Sequence, residues 1–345
     1  MNNRTTFFSL ISAAATALLA LSACASTPMP DETSDAAPAT LTPVSFAMNF
    51  KPSGAQVGFT YAKELGLYEK AGLDVSIAPG TGSVATAQLV ASGKIDIGYT
   101  DAPAAFSTAA NGGDILVVSP VLQTNGFAVI SLAETGLENI EDLKGMRIGL
   151  QPATGNAQLF NAILASAGLN EDDVEIVSVQ PSALQAALLA KQADVIITGG
   201  DTQVPLLKLA GHKLKYWMFY EVGVPTIGLS IAASSTYLND NADIVKKFTE
   251  ASLQGWAAAK ENPSAAAKSM IDQFPTAGTV EQVEAMLRVD LDLLCTAGGS
   301  EMGPVSNEFW TKTAELLKDA ELLPQDTDVM GLVAQEYAGE NFPKC

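Results

Sequence analysis

Two stretches of this chain follow one plan. Val75–Ser83 reads as a strand and a polar turn, leads into a helix over Val84–Ser92, and continues to an apolar strand, Ile95–Tyr99, that ends at Thr100-Asp101. Val174–Gln180 repeats the strand, Pro181–Lys191 the helix, and Asp194–Thr198 the apolar strand, which ends at Gly199-Gly200-Asp201. Strands this rich in Val and Ile, alternating with Ala/Leu-rich helices, belong in parallel sheets covered on both faces. The repeat therefore predicts two similar α/β lobes with an acid just past the carboxyl end of a strand in each.

The flanking sequence extends both units. Val44–Met48 reads as a first strand, Asn49–Gly54 as a loop, and Ala55–Lys70 as a helix with Val57, Tyr61, Leu65 and Tyr68 on one side. Gly72 caps that helix and Leu73–Ala78 resumes as strand. In the second unit a short helical turn over Asn139–Gly145 precedes the strand Met146–Leu150, the loop Gln151–Asn156 and the helix Ala157–Ala167. Phe127–Ser131 and Thr226–Ala232 are expected to be the two crossings between lobes. Beyond them the pattern is helical, over Ala242–Lys260, Pro263–Gln273, Thr279–Leu294 and Ser306–Leu317. The expected division is 43–130 and 222–345 in one lobe and 131–221 in the other, with two crossings that allow a hinge.

The chain begins with one basic residue, Arg4, and an apolar run from Phe7 to Leu21. At about 15 residues the run falls short of the roughly 20 needed to span a bilayer. It ends in Leu21-Ser22-Ala23-Cys24, which resembles a bacterial lipobox, and a plain secretory signal is the alternative. The expectation is a signal peptide over 1–23, a lipidated Cys24 and a linker over 24–42. The segment Ala25–Thr40, with its prolines, small polar residues and acids, reads as a flexible tether.

The net charge is −19 and the arginines are only Arg4, Arg147 and Arg288, which makes nucleic acid a poor partner. With Cys24 assigned to lipid, Cys295 and Cys345 either join in a disulfide, as export allows, or remain a buried and a free thiol.

Ligands of open α/β sheets bind beyond the carboxyl ends of the strands, so the loops there carry the candidates. These are Asn49, Phe50 and Gln56; Thr81, Gly82 and Ser83; Thr100 and Asp101; Gln151, Thr154, Gly155 and Asn156; and Asp201. Thr81-Gly82-Ser83 lies before a helix whose first amides suit a ligand oxygen, or Ser83 is simply that helix's cap. Asp101 and Asp201 either receive a ligand or cap the helices that follow. Phe50 either stacks on a flat ring or packs, and Tyr99 faces the cleft or the core. The only base in these loops is Lys51, and Arg147 at a strand start points away. Two carboxylates and so little positive charge disfavour a sulfonate or nitrate and favour a neutral or cationic ligand with ring nitrogens or an amino group.

Several runs, Asn49-Phe50-Lys51-Pro52, Ala62–Val75, Gly82-Ser83, Ala91–Gly98, Ile140–Gly145 and Gly255-Trp256 followed by Asn262-Pro263, resemble substrate-binding proteins of ABC importers in the NMT1/THI5-like and SsuA/TauA-like group. The resemblance spans about Val44 to Pro324. It implies a type II periplasmic-binding fold with two crossover strands. Such a protein closes on a small molecule and delivers it to transmembrane permease subunits served by a cytoplasmic ATPase, as a monomer without cofactor or metal. Ligands in the group include nitrate, alkanesulfonates, taurine, thiamine-pyrimidine precursors and riboflavin. The thiamine-precursor members carry Asn-Trp-x-Pro with a histidine four residues past the proline, where this chain has Phe50 and Gln56. These substitutions keep a flat apolar face and a hydrogen-bonding amide, so the expected ligand is a small nitrogen heteroaromatic.

An enzyme is disfavoured. The single histidine, His212, lies in a polar turn, and nucleophile-elbow, CxxC, HExxH and dinucleotide glycine motifs are lacking. A purely structural lipoprotein would need no paired lobes with polar strand-end loops.

Overall fold

The computed structural model describes residues 40–151 and 155–345; the signal, Cys24 and nearly all of the linker lie outside the described residues, as does Thr154. The first sheet takes its strands from β1 (Thr42–Ala47), β2 (Leu73–Ala78), β3 (Ile97–Asp101), β4 (Leu116–Pro120) and β10 (Leu229–Ala233), in the order β2-β1-β3-β10-β4. The second takes β5 (Phe127–Leu132), β6 (Arg147–Leu150), β7 (Glu175–Ser178), β8 (Val195–Gly199) and β9 (Leu214–Met218), in the order β7-β6-β8-β5-β9. The two orders are equivalent position by position. In each sheet the first three strands are parallel, and the fourth, β10 or β5, runs antiparallel to both neighbours.

Between the strands of the first lobe lie α1 (Val57–Glu64), α2 (Leu67–Lys70), α3 (Ser83–Ala91) and α4 (Ala102–Ala110). The second lobe carries α5 (Gly155–Gln158), α6 (Phe160–Ser166), α7 (Leu184–Leu189) and α8 (Gly200–Leu209). After β10 the chain forms α9 (Ser235–Glu261), α10 (Pro263–Gln273), α11 (Val280–Leu293) and α12 (Asn307–Asp319). The core of the first lobe is aromatic. Phe46 packs on Phe59 at 4.6 Å between ring centroids, Tyr68 stacks on Phe248 at 5.4 Å, and Trp256 closes the cluster against Phe59.

Three expectations shift in register. The helix foreseen over Ala55–Lys70 is a 3₁₀ turn at Gly54–Gln56 followed by α1 and α2, because Gly66 enters the left-handed region at φ 66° and ends the first helix. The strand foreseen over Ile95–Tyr99 begins at Ile97 and includes Thr100 and Asp101. Asp96 is held in the bend before it, accepting hydrogen bonds from the Ser45 amide at 2.8 Å and hydroxyl at 2.6 Å. Asp194 does the same before β8, where it takes the Arg147 amide and a two-pronged guanidinium contact, so Arg147 is anchored at the strand start.

The third shift concerns the crossings. Phe127–Ser131 and most of Thr226–Ala232 lie inside β5 and β10, in mid-sheet, and the chain changes sheets just before each, over 121–126 and 219–228. These two segments lie side by side. The Asn125 amide hydrogen reaches the Thr226 carbonyl at 2.9 Å, and Gly228 donates to Leu122 at 3.2 Å. The buried Asn125 side chain donates to the Val224 carbonyl at 3.0 Å and the Thr226 hydroxyl at 2.9 Å, and accepts from Phe127 at 3.1 Å.

A disulfide joins Cys295 to Cys345, and the tail is further held where Met302 donates to the Pro343 carbonyl and Cys345 to that of Ser300. The bridge closes a loop with a sequence separation of 50. In the chain-entropy account a loop of that size is worth about 4 kcal/mol. Replacing both cysteines with serine is expected to lower the unfolding free energy by up to that amount, read as a fall in the urea midpoint without a change of fold by circular dichroism.

Candidate functional site

The carboxyl end of β3 meets the start of α8 where the lobes touch. Asp101 is the last residue of β3 and the first to precede α4, yet its side chain makes no cap. Its carboxylate accepts the Ser83 hydroxyl at 2.6 Å, while its amide donates to the same Ser83 oxygen at 3.2 Å and the Thr100 hydroxyl donates to the Ser83 carbonyl at 2.9 Å. Gly82, not Ser83, occupies the cap position of α3, so the Ser83 hydroxyl serves Asp101 and not the helix end. Ser83, Thr100 and Asp101 thus form one bonded unit across two loops of the first lobe.

Asp201 sits in the first turn of α8, within the helix and not before it as the strand-end reading had it. One of its oxygens accepts the Thr202 amide at 2.8 Å, and the Gly200 and Asp201 amides reach the Gly126 carbonyl of the first crossing at 2.7 and 3.3 Å. A side chain on Gly126 would start 2.9 Å from the Asp201 carboxylate, so the crossing must carry glycine for the acid to lie against it.

A third acid was not visible among the strand-end loops. Asp290 lies on α11 and is 1% exposed, and apart from the Asp201 carboxyl no group hydrogen-bonds to its oxygens. It faces Asp201, with which it interacts carboxyl to carboxyl. Helix α11 packs with the first-lobe core through Val283, Met286, Leu287 and Leu293, while Val289 rests on the second lobe and Leu206 of α8 rests on the first. The sequence does hold a signal for it. Val283, Met286, Leu287, Leu293 and Leu294 define an apolar stripe, and Asp290 falls on that stripe. Tyr99 is fully buried, its ring against Phe59 at 4.7 Å, and its hydroxyl lacks a partner while feeling Asp290, Asp101 and Asp201.

The remaining candidates divide. Gln56 is buried, but its amide is spent inside the loop, accepting from the Ser53 amide at 2.9 Å and hydroxyl at 3.0 Å and donating to Asn49 at 2.7 Å. It shapes the turn from β1 into α1, with Asn49 as its partner. Phe50 stands 38% exposed on that loop, and Thr81 is also exposed. Asn156 donates to the Ile197 carbonyl at 2.8 Å, which ties the start of α5 to β8. Gln151 follows β6 and Gly155 opens α5.

Burial pushes the Asp101 carboxyl up to about 6, against the Ser83 hydrogen bond that lowers it. Burial likewise raises Asp201 to about 6, and Asp290 goes well above the ordinary carboxyl range through burial and then the Asp201 charge. No ion pair among the described residues engages any of the three. Nor is any group of three or more His, Cys, Asp or Glu among the described residues arranged to hold a metal ion. The three acids form a desolvated cluster with a phenol beside it.

Two α/β sheets of equivalent order, joined by paired crossings with polar residues gathered at their facing ends, define a periplasmic-binding fold of type II. Residues 55–266 match the family described as NMT1/THI5 like, and the chain belongs to it. It is 25% identical to the formylaminopyrimidine-binding protein of Halalkalibacterium halodurans over 289 residues, 82% of this chain and 86% of that one. It is 24% identical to the riboflavin-binding protein RibY of Chloroflexus aurantiacus over 340 residues, 93% and 95% of the two chains. Among solved structures, the alkanesulfonate-binding protein SsuA from Xanthomonas axonopodis pv. citri bound to MOPS superposes with a TM-score of 0.67 at 20% identity, covering 85% of this chain and 98% of that one. Family and fold together are those of the periplasmic-binding kind. Among the described residues no helix is long and apolar enough to cross a membrane.

The acids set a pH dependence. The folded Asp101 carboxyl holds its proton to about pH 6, above the ordinary 3.8, so folding takes up a proton between those values and stability falls as pH rises through them. The shift corresponds to about 3 kcal/mol at most from this group. Urea unfolding of the ligand-free protein is expected to show lower stability at pH 8 than at pH 5, with the difference reduced in Asp101→Asn. Equal pH dependence in the variant would rule out Asp101 as its source.

Proposed function

We propose that this protein is a lipid-anchored substrate-binding protein that captures a small nitrogen-containing heteroaromatic metabolite, of the thiamine-pyrimidine-precursor kind, and hands it to an ABC permease. The observation that carries the reading is the set of three buried carboxyls, Asp101, Asp201 and Asp290, meeting where the lobes touch without a basic side chain in an ion pair with them. A sulfonate or nitrate would bring negative charge to that surface, whereas amino groups and ring N–H groups gain charge-assisted hydrogen bonds there. The similarity to a formylaminopyrimidine-binding protein agrees with this reading.

The mechanism is closure. Ligand first meets one lobe, and contacts from the other add to it, so the closed form the permease recognises gains population. Ser83 holds Asp101 in position on the first lobe, and the Gly126 crossing holds Asp201 on the second. Diacylglycerol on Cys24 and the 24–42 linker keep the protein near its permease, raising the local concentration.

Two measurements test this. Thermal denaturation against pyrimidines and other nitrogen heteroaromatics, flavins, taurine, alkanesulfonates and nitrate is expected to give a melting shift with a pyrimidine, and Asp101→Ala to weaken the hit at least tenfold by calorimetry. A shift only with sulfonate or nitrate would reverse the ligand reading, and one only with flavins would redirect it. Separately, Cys24→Ala is expected to release the protein from the membrane fraction and abolish incorporation of labelled palmitate. Retention and labelling in that variant would sink the lipoprotein reading.

A further inference from the structure

We propose that Asp201 and Asp290 act as a pair sharing one proton that reads an amidine edge on the ligand, a ring nitrogen next to a carbon bearing an amino group, which makes Asp290 a specificity-determining residue. This deepens the heteroaromatic reading above and rests on it. The pair spans the lobe contact, Asp201 on α8 of one lobe and Asp290 on α11 of the other. Both are buried, at 9% and 1% exposure, and the Asp290 carboxyl has the Asp201 carboxyl as its hydrogen-bond partner and no other.

Two facing carboxyls in a dry contact do not both ionise, so one proton resides between them. The pair then presents one O–H donor and one carboxylate acceptor side by side. An amidine edge matches both, since its ring nitrogen accepts the O–H and its amino group donates to the carboxylate. A lactam edge also offers one donor and one acceptor, but its oxygen is a poor base. An amidine nitrogen can take the proton outright, giving an amidinium against the ionised pair with the Asp101 charge nearby. No proton enters or leaves in that exchange. The Tyr99 hydroxyl is a second, independent pointer. It is fully buried and unpartnered and feels the charge of the same three acids.

The titratable groups acting on the pair come from α8 and α11 themselves and from β3, which supplies Tyr99 and Asp101. The turn at Gly54–Gln56, which packs on α11, supplies no charged side chain. On α10, Lys268 is paired with Asp272 at the surface. On α11, Arg288 is paired with Glu284, and Asp292 acts on Tyr220. On α8, Lys208 lies over the Tyr216 ring.

The test is calorimetric titration of the purified full chain with 4-amino-2-methylpyrimidine, its 4-oxo counterpart and taurine, from pH 6.5 to 9.5. The aminopyrimidine is expected to bind at least tenfold tighter than the oxo compound. Its affinity is expected to fall about tenfold per pH unit once the pair loses its proton. Asp290→Asn is expected to remove that alkaline fall. In the wild type, titrations in buffers of different ionisation enthalpy are expected to show proton uptake that rises toward one at the alkaline end, a readout that does not depend on the variant folding. Equal binding of the two pyrimidines, an unchanged pH profile in Asp290→Asn, or no proton uptake overturns the proposal while leaving the heteroaromatic reading in place. Binding of taurine alone, or of no pyrimidine, overturns both.

Discussion

The architecture depends on the pair of crossing segments and the buried amide that holds them together. Each sheet receives its antiparallel fourth strand from the chain returning out of the other lobe, so neither sheet is complete without a crossing. Asn125 satisfies itself entirely on the second crossing and on the start of β5, and a buried amide left without those partners would cost about 1–3 kcal/mol per group. Two hydrogen-bonded strands of linker bend together more readily than they separate. The two crossings therefore hold each other in register.

That joint also decides where charge is buried. The first crossing passes Gly126 against Asp201, and Gln123 in the same segment binds the chain just after α11. Its amide donates to the Leu293 carbonyl, its side chain accepts from the Ala297 amide at 3.0 Å and donates to the Glu301 carbonyl at 3.1 Å. The Cys295–Cys345 bridge falls within that stretch. Helix α11, which carries Asp290, is thus fixed to the same element that positions Asp201. The acids meet because both are referenced to one short segment of backbone.

Burying carboxyls in this way opposes the stability of the protein at neutral pH. The desolvation of Asp101 and Asp201 is met by the packing around them.

The repeat of strand, turn, helix, strand and acid was legible in the sequence, since hydrophobic periodicity and local turn chemistry act over a few residues. So were β2 and α10, and so was the α/β class. The apolar stripe of Thr279–Leu294 was legible too, but nothing local says that an acid on it faces another acid from a distant lobe. Likewise Gln56 and Ser83 carry the right chemistry for a ligand, and only the fold shows that Gln56 is spent on Ser53 and Asn49 and that Ser83 serves Asp101. Sequence determined which segments become strands and helices, because those preferences are local. Tertiary structure decided which polar groups are left without partners, because that depends on long-range contacts closing around them.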